Sequence, residues 1–178
     1  HYEKNKSYIY SPYIGESDEV QELAASPDRA EAVAYEQVKI VLREWLALAE
    51  ERLKGTGIQL YISPGNDDIP EVGEILDSSK FVINPDERIV RLFDSYEMVS
   101  VGKANMTPWN CPRDVPEEEL GRIVQKLTAK IDNPSRTIFN LHAPPMGTNL
   151  DIAMQLDSQF RPVMKAGQPN MIHVGAPS

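Results

Sequence analysis

The sequence has one cysteine, Cys111. A lone thiol cannot close an intramolecular disulfide, so a reducing compartment, the cytoplasm, is the expectation. No apolar run approaches the ~20 residues of a membrane-spanning helix, and no membrane partner is expected. The opening residues His1-Tyr2-Glu3-Lys4 are polar and do not read as a signal peptide. They lack an initiator Met, as expected of a processed chain or a piece of a longer one. Basic residues are scarce: 18 Lys and Arg against 27 Asp and Glu give a formal net charge of −9. Such a surface has nothing to replace the counterions of a nucleic-acid duplex, which argues against duplex binding. It does not exclude a metal-bound phosphate ester, because a bound cation dominates its local field. No Gly-rich phosphate loop is found, and no Ser/His/Asp set has supporting local context.

What is present is ordinary globular composition. The chain has 178 residues, 41% hydrophobic and 25% charged, enough for one sizeable core and read as a single domain over 1–178. Tyr2, Tyr8, Tyr10 and Tyr13 mark an aromatic, turn-rich N-terminal segment. Ser26-Pro27-Asp28 reads as a helix start, and apolar residues at Ala34, Val38, Val41, Trp45 and Leu48 predict a long helix over about 27–54 with Trp45 in the core. Ile58, Leu60 and Ile62 alternate as a strand, Pro64-Gly65 turns the chain, and Ile69 to Leu76 reads as a short helix. Phe81-Val82-Ile83 and Ile89 to Phe93 flank Asn84-Pro85-Asp86-Glu87 as a plausible hairpin. Met98 to Val101 is a strand, and Gly102 to Val115 an irregular loop with Thr107-Pro108-Trp109. Pro116 opens a helix whose inner face is Leu120, Ile123, Val124, Leu127 and Ile131. Thr137 to Leu141 is a strand ending at His142, followed by a polar, irregular tail and a last short strand at Met171 to Val174. The alternation is that of an α/β fold with mixed strand directions.

Two strand ends carry the chemistry. Leu60 to Ile62 runs into Gly65-Asn66-Asp67-Asp68, and Ile138 to Leu141 runs into His142. Ligands of α/β sheets bind beyond the carboxyl ends of strands, where Asn66 and His142 both fall. An amide oxygen with an imidazole nitrogen suits Mn, Fe, Co, Ni or Zn better than Ca, and Asp67 and Asp68 could orient ligands or move protons. Each feature alone has a plainer reading. Asn66-Asp67-Asp68 is a good turn and helix cap, and His142 could be a core histidine held by a carbonyl. His173 reads as structural, and Cys111 as an ordinary thiol.

Taken together, Gly65-Asn66-Asp67-Asp68 resembles the G-N-(H/C/D)-(D/E) block of the calcineurin-like metallophosphoesterases, and Asn140-Leu141-His142-Ala143-Pro144-Pro145 resembles their isolated-histidine block. Val99 to Trp109, Gly147 to Asp151, Glu50 to Leu53 and Met171 to Gly175 are similar to one subgroup, so the likeness runs from about Asp28 onward. The resemblance implies an αββα sandwich and two divalent metal ions (Mn, Fe, Ni, Co or Zn) that activate water for in-line attack on a phosphomonoester or phosphodiester. Asn66 and His142 would ligate one metal. Asp67 stands where the family often has a histidine that protonates the leaving group, and Asp68 would orient its neighbour. The family's opening D-x-H and G-D blocks and its closing G-H-x-H block are missing, so the chain looks like the central portion of such an enzyme. The alternatives are a non-catalytic α/β binding module that keeps the scaffold, and a mononuclear metal hydrolase using Asn66, Asp67 and His142. Substrate identity beyond a small phosphate ester, and oligomeric state, are left open.

Overall fold

The computed structural model describes residues 25–93 and 95–177; the aromatic segment near the N-terminus lies outside the described residues. The order is α1 (Pro27–Leu53), β1 (Leu60–Tyr61), α2 (Glu71–Ser78), β2 (Val82–Ile83), β3 (Arg88–Leu92), β4 (Tyr96–Val101), β5 (Ala104–Asn105), β6 (Asp114–Val115), α3 (Glu117–Thr128), a 3-10 turn (Pro134–Arg136), β7 (Thr137–Leu141), β8 (Ile152–Met154), β9 (Met164–Lys165), β10 (Gln168–Pro169) and β11 (Met171–His173). The fold is mixed α/β, with small sheets and three α-helices among the described residues.

Helix α1 occupies the predicted span, with Pro27 in its first turn, although the Ser26 side chain makes no capping bond. Its buried line is narrower than the sequence stripe. Val38, Leu42 and Leu46, spaced by four, pack with Val72, Ile75 and Leu76 of α2 and Val82 of β2. Trp45 is 67% exposed rather than core. An eight-residue partner covers one ridge of α1, and Trp45, about 100° round the helix from Leu46, falls off it.

Strands β1 and β2 pair in parallel (Leu60 with Val82), and a further bond from Ile62 N to Ile83 O extends them. The expected hairpin across Asn84-Pro85-Asp86-Glu87 is therefore not formed. Val82 is buried beside α2, and the turn instead carries the chain on to β3. The hairpin here joins β3 to β4, with Val90 opposite Met98. Strand β7 lies parallel to β4 on its other side, Ser100 opposite Asn140. Val99, Val101, Ala104, Val115, Leu120 and Leu127 form the core between this sheet and α3, the face of α3 that its periodicity predicts. The segment after β7, expected to be irregular up to a last strand at Met171 to Val174, is a lobe of short strands in which β11 takes the expected place: β8 pairs antiparallel with β11, and β9 with β10.

The parallel pairs align their carboxyl ends. Gly102, just past β4, sits so close to the chain leaving β1 that a Cβ built on it would fall 1.9 Å from the Pro64 carbonyl oxygen. His142 N, just past β7, donates to Val101 O at 2.9 Å. Three strand exits thus meet, and Ser63, Gly65, Gly102, Asn140 and His142 help line a cavity of about 70 Å³ there.

Candidate functional site

Asn66 and His142 are brought together. His142 Nε2 lies 2.9 Å from Asn66 Oδ1, and a Cβ on Gly65 would come 3.1 Å from His142 Cε1, so the glycine leaves the imidazole its room. The orientation of the Asn66 amide is fixed from behind. Its Nδ2 donates to Asp114 Oδ1 at 2.8 Å, and its backbone carbonyl accepts from Arg113 N at 2.8 Å. An ionised carboxylate only accepts, so the amide must present Nδ2 to Asp114 and Oδ1 to His142.

Asp114 is itself held. Its Oδ2 accepts from Thr107 N at 3.0 Å, Cys111 N at 2.9 Å and the Thr107 hydroxyl. Burial opposes the charge on Asp114, but the hydrogen bonds from the Thr107 hydroxyl, the Asn66 amide and the two backbone amides outweigh it and keep the carboxyl below its ordinary range. The loop around Trp109 is therefore a clasp closed on one carboxylate. A second tie runs through Asp86, which accepts from Gly102 N at 2.7 Å and pairs with Arg113 Nη2 at 2.6 Å, both side chains nearly buried. It joins the β4 exit to the loop that carries Asp114.

Asp68 Oδ2 accepts from Gly65 N at 2.7 Å and so closes the turn that presents Asn66. The cap reading of this stretch does not hold for α2, which begins at Glu71 and has no side-chain cap. Asp67 is exposed and near Cys111. Burial pushes the Cys111 thiol up, and the charges of Asp114 and Asp67 add to the effect against a hydrogen bond from Thr107. The thiol thus stays protonated at neutral pH, as an ordinary cysteine does.

The separation of the two atoms is that of a hydrogen bond and also that of adjacent ligands on one ion. Two ligands each 2.0–2.2 Å from one ion and at right angles to each other stand about 3 Å apart, which is the observed separation of Oδ1 and Nε2. Among the described residues, no three His, Cys, Asp or Glu side chains group to hold an ion. The remaining donors of the expected two-metal centre are not among them; Asp67, the third ligand expected of a mononuclear site, is exposed next to Asn66 in the chain.

The other described histidine, His173, is less structural than its apolar neighbours imply. Its Nδ1 lies 2.9 Å from Asp151 Oδ1, and half of its side chain is exposed. Asp151 is buried and also accepts from Gly147 N at 2.9 Å and Gly175 N at 3.4 Å. Burial works against its charge, while the bonds from His173, Gly147 and Gly175 hold its carboxyl below the usual range.

The sequence reading missed Asp114, Asp86 and the partnership of Asp151 with His173. Asp114 is 48 positions from Asn66, and no local pattern couples them. The cue available was a carboxylate ending a Pro-flanked loop that needed an anchor.

No family model matches the chain. It is 35% identical over 115 residues to an uncharacterized protein of Methanocaldococcus jannaschii, an alignment covering 65% of this chain and 44% of that protein. The chain thus spans less than half the length of the curated relative it matches. A crystal structure aligns with 70% of this chain and 54% of its own at 15% identity and a TM-score of 0.45, too distant to carry an argument. No helix among the described residues is long and apolar enough to cross a membrane.

Proposed function

We propose that this chain is the central part of a metal-dependent phosphoesterase that hydrolyses a small phosphomonoester or phosphodiester at a two-metal centre. The observation that carries the reading is the convergence of Asn66 Oδ1 and His142 Nε2 at 2.9 Å beyond two strand ends, with the Asn66 amide locked by Asp114. Asn66 and His142 would hold one of two divalent ions (Mn, Fe, Ni, Co or Zn). Such ions supply Lewis-acid polarisation of the phosphoryl group and activation of the attacking water. The αββα sandwich belongs to the same proposal. Its support is that, among the described residues, β7 is the edge strand of the β3-β4-β7 sheet, an edge that a further strand would cover.

The test is turnover. The full-length protein with Mn²⁺ is expected to hydrolyse p-nitrophenyl phosphate or its diester, and Asn66→Ala and His142→Ala should each abolish that activity. Unchanged turnover in both variants would refute the assignment. A non-catalytic α/β binding module is the second reading, favoured by the absence of a three-residue ligand group among the described residues. It expects no thermal stabilisation by Mn²⁺ or Zn²⁺, whereas an ion at about 100 times its Kd would add about 2.7 kcal/mol.

A further inference from the structure

The lobe of residues 143–177 grows from the carboxyl end of β7, immediately after His142, and closes back beside its own root. Ala176 N donates to Pro144 O at 2.9 Å, and Met146 N to Ala176 O at 2.8 Å. Gly175 packs so tightly there that a Cβ on it would lie 2.4 Å from Pro144 O and 2.7 Å from Asp151 Cβ. Pro144 is two residues past His142, and Gly175 two past His173. Two residues span at most about 7 Å, so the backbone of each histidine lies within about that distance of this contact. The lobe also reaches the other side of the corner. Phe160 stacks on Trp109 with ring centroids 6.2 Å apart, and Trp109 rides on the loop clasped by the Asp114 carboxylate that fixes Asn66. The lobe therefore contacts both the segment that follows His142 and the loop that carries Asp114.

Hydrolysis of an ester with a poor leaving group needs a proton donor. Of the two described histidines, His142 is engaged with Asn66. Among the described residues His173 is engaged through Nδ1, on a buried carboxylate, and half of its side chain is exposed. A buried carboxylate at Nδ1 orients an imidazole and leaves Nε2 as the nitrogen that faces outward.

We infer that His173, oriented by Asp151, is the proton donor to the leaving group of the phosphate ester. This rests on the proposed function. Water oxygen forms the new bond to phosphorus as the bond from phosphorus to the leaving oxygen breaks. The Nε2 proton of His173 passes to that leaving oxygen, giving the free alcohol. The proton lost by the attacking water restores the imidazolium through solvent. Asp151 touches no reacting atom and acts as a positioning residue, holding the Nδ1 proton throughout.

The test compares two esters of the same phosphoryl group in the full-length protein with Mn²⁺. One has an activated p-nitrophenyl leaving group, the other an alkyl one. His173→Ala is expected to lower kcat/KM for the alkyl ester roughly 10²–10⁴-fold, the usual range of general-acid catalysis, and to leave the p-nitrophenyl ester within about 10-fold. Asp151→Asn should show the same selective loss to a smaller degree. Because Asp151 is buried, the solvent-exposed His173 variant decides if Asp151→Asn does not fold. Equal losses on both esters, or an unchanged rate on the alkyl ester, overturn the inference alone. Wild-type protein inactive on both esters overturns the proposed function and this inference with it.

Discussion

Replacing Asp114 by Asn tests the geometry of the corner without any assumption about metal or substrate. In the native arrangement the carboxylate accepts four bonds, one from Asn66 Nδ2 and three from the Thr107 and Cys111 groups. An amide at position 114 can still offer one oxygen. If that oxygen serves Thr107 and Cys111, its NH₂ faces the NH₂ of Asn66, two donors in contact. Asn66 must then rotate its amide, presenting Oδ1 to Asn and Nδ2 to His142. The native contact of His142 Nε2 with Asn66 Oδ1 requires a proton on Nε2 in the metal-free protein, because Oδ1 only accepts. The rotated amide instead donates, so Nε2 must give up its proton and Nδ1 must carry it. Nitrogen-15 correlation spectra of the imidazole ring distinguish the two tautomers. The expected result is the Nε2-protonated form in the wild type and the Nδ1-protonated form in Asp114→Asn. Charge-assisted bonds contribute about 1.5–3 kcal/mol and neutral ones about 0.5–1.5, so weakening three of them should destabilise the fold by about 2–4 kcal/mol, read by denaturant unfolding. The double variant Asn66→Asp with Asp114→Asn restores donor to acceptor with the polarity reversed and should return His142 to the Nε2-protonated form. A folded Asp114→Asn protein that keeps the wild-type tautomer would show that Asp114 does not set the amide.

Two other perturbations follow from the same contacts. Gly102→Ala would drive a methyl group onto the Pro64 carbonyl, 1.9 Å away, and to 3.0 Å from Asp86 Oδ1. Because the nearest obstacle is backbone, the strand exits must separate, and a loss of about 2–4 kcal/mol is expected, with displaced His142 resonances; a variant as stable as wild type would contradict the close packing. Acid should also destabilise the native state through Asp114 and Asp151, whose carboxyls are held below their ordinary range. A carboxyl with a lower pKa folded than unfolded binds fewer protons in the native state, so stability rises with pH between the two values. The contribution is full above the unfolded value, near pH 4, and drains as pH falls through the folded one. Denaturant unfolding from pH 5 to pH 2 should therefore show a decline that Asp114→Asn makes shallower; an unchanged slope would remove Asp114 from that account.

The parts legible in the sequence were those governed by local pattern. Helix α1, the inner face of α3 and strand β7 follow from the spacing of apolar residues and from Pro27 and Pro116. The errors lie where partners decide. Val82 and Ile83 alternate well enough for a hairpin, but burial against α2 pairs them with β1. Trp45 follows the helical period and is still exposed, because what a helix buries depends on the width of what covers it. Asn66 and His142 were legible as strand-end polar residues. Asp114 was not, because its bond to Asn66 spans 48 positions and obeys no period.

That long-range bond also weighs on how the corner should be read. An exposed contact between an imidazole and an amide is a weak interaction in water, too weak to account for what surrounds it. The loop from Thr107 to Asp114 is closed on the Asp114 carboxylate, a nearly buried ion pair ties that loop to the β4 exit, and two glycines leave room at the strand exits. All of this fixes the direction of one amide oxygen. A turn that only had to cap a helix would point Asn66 at free backbone amides, and α2 has no such cap. A polar pair left half in water has little need of a fixed amide direction, whereas a ligand to a cation does, since rotating the amide replaces an oxygen lone pair by N–H and abolishes the donor. The order imposed on Asn66 supports the proposed binding corner, and the tautomer of His142 is its most direct readout.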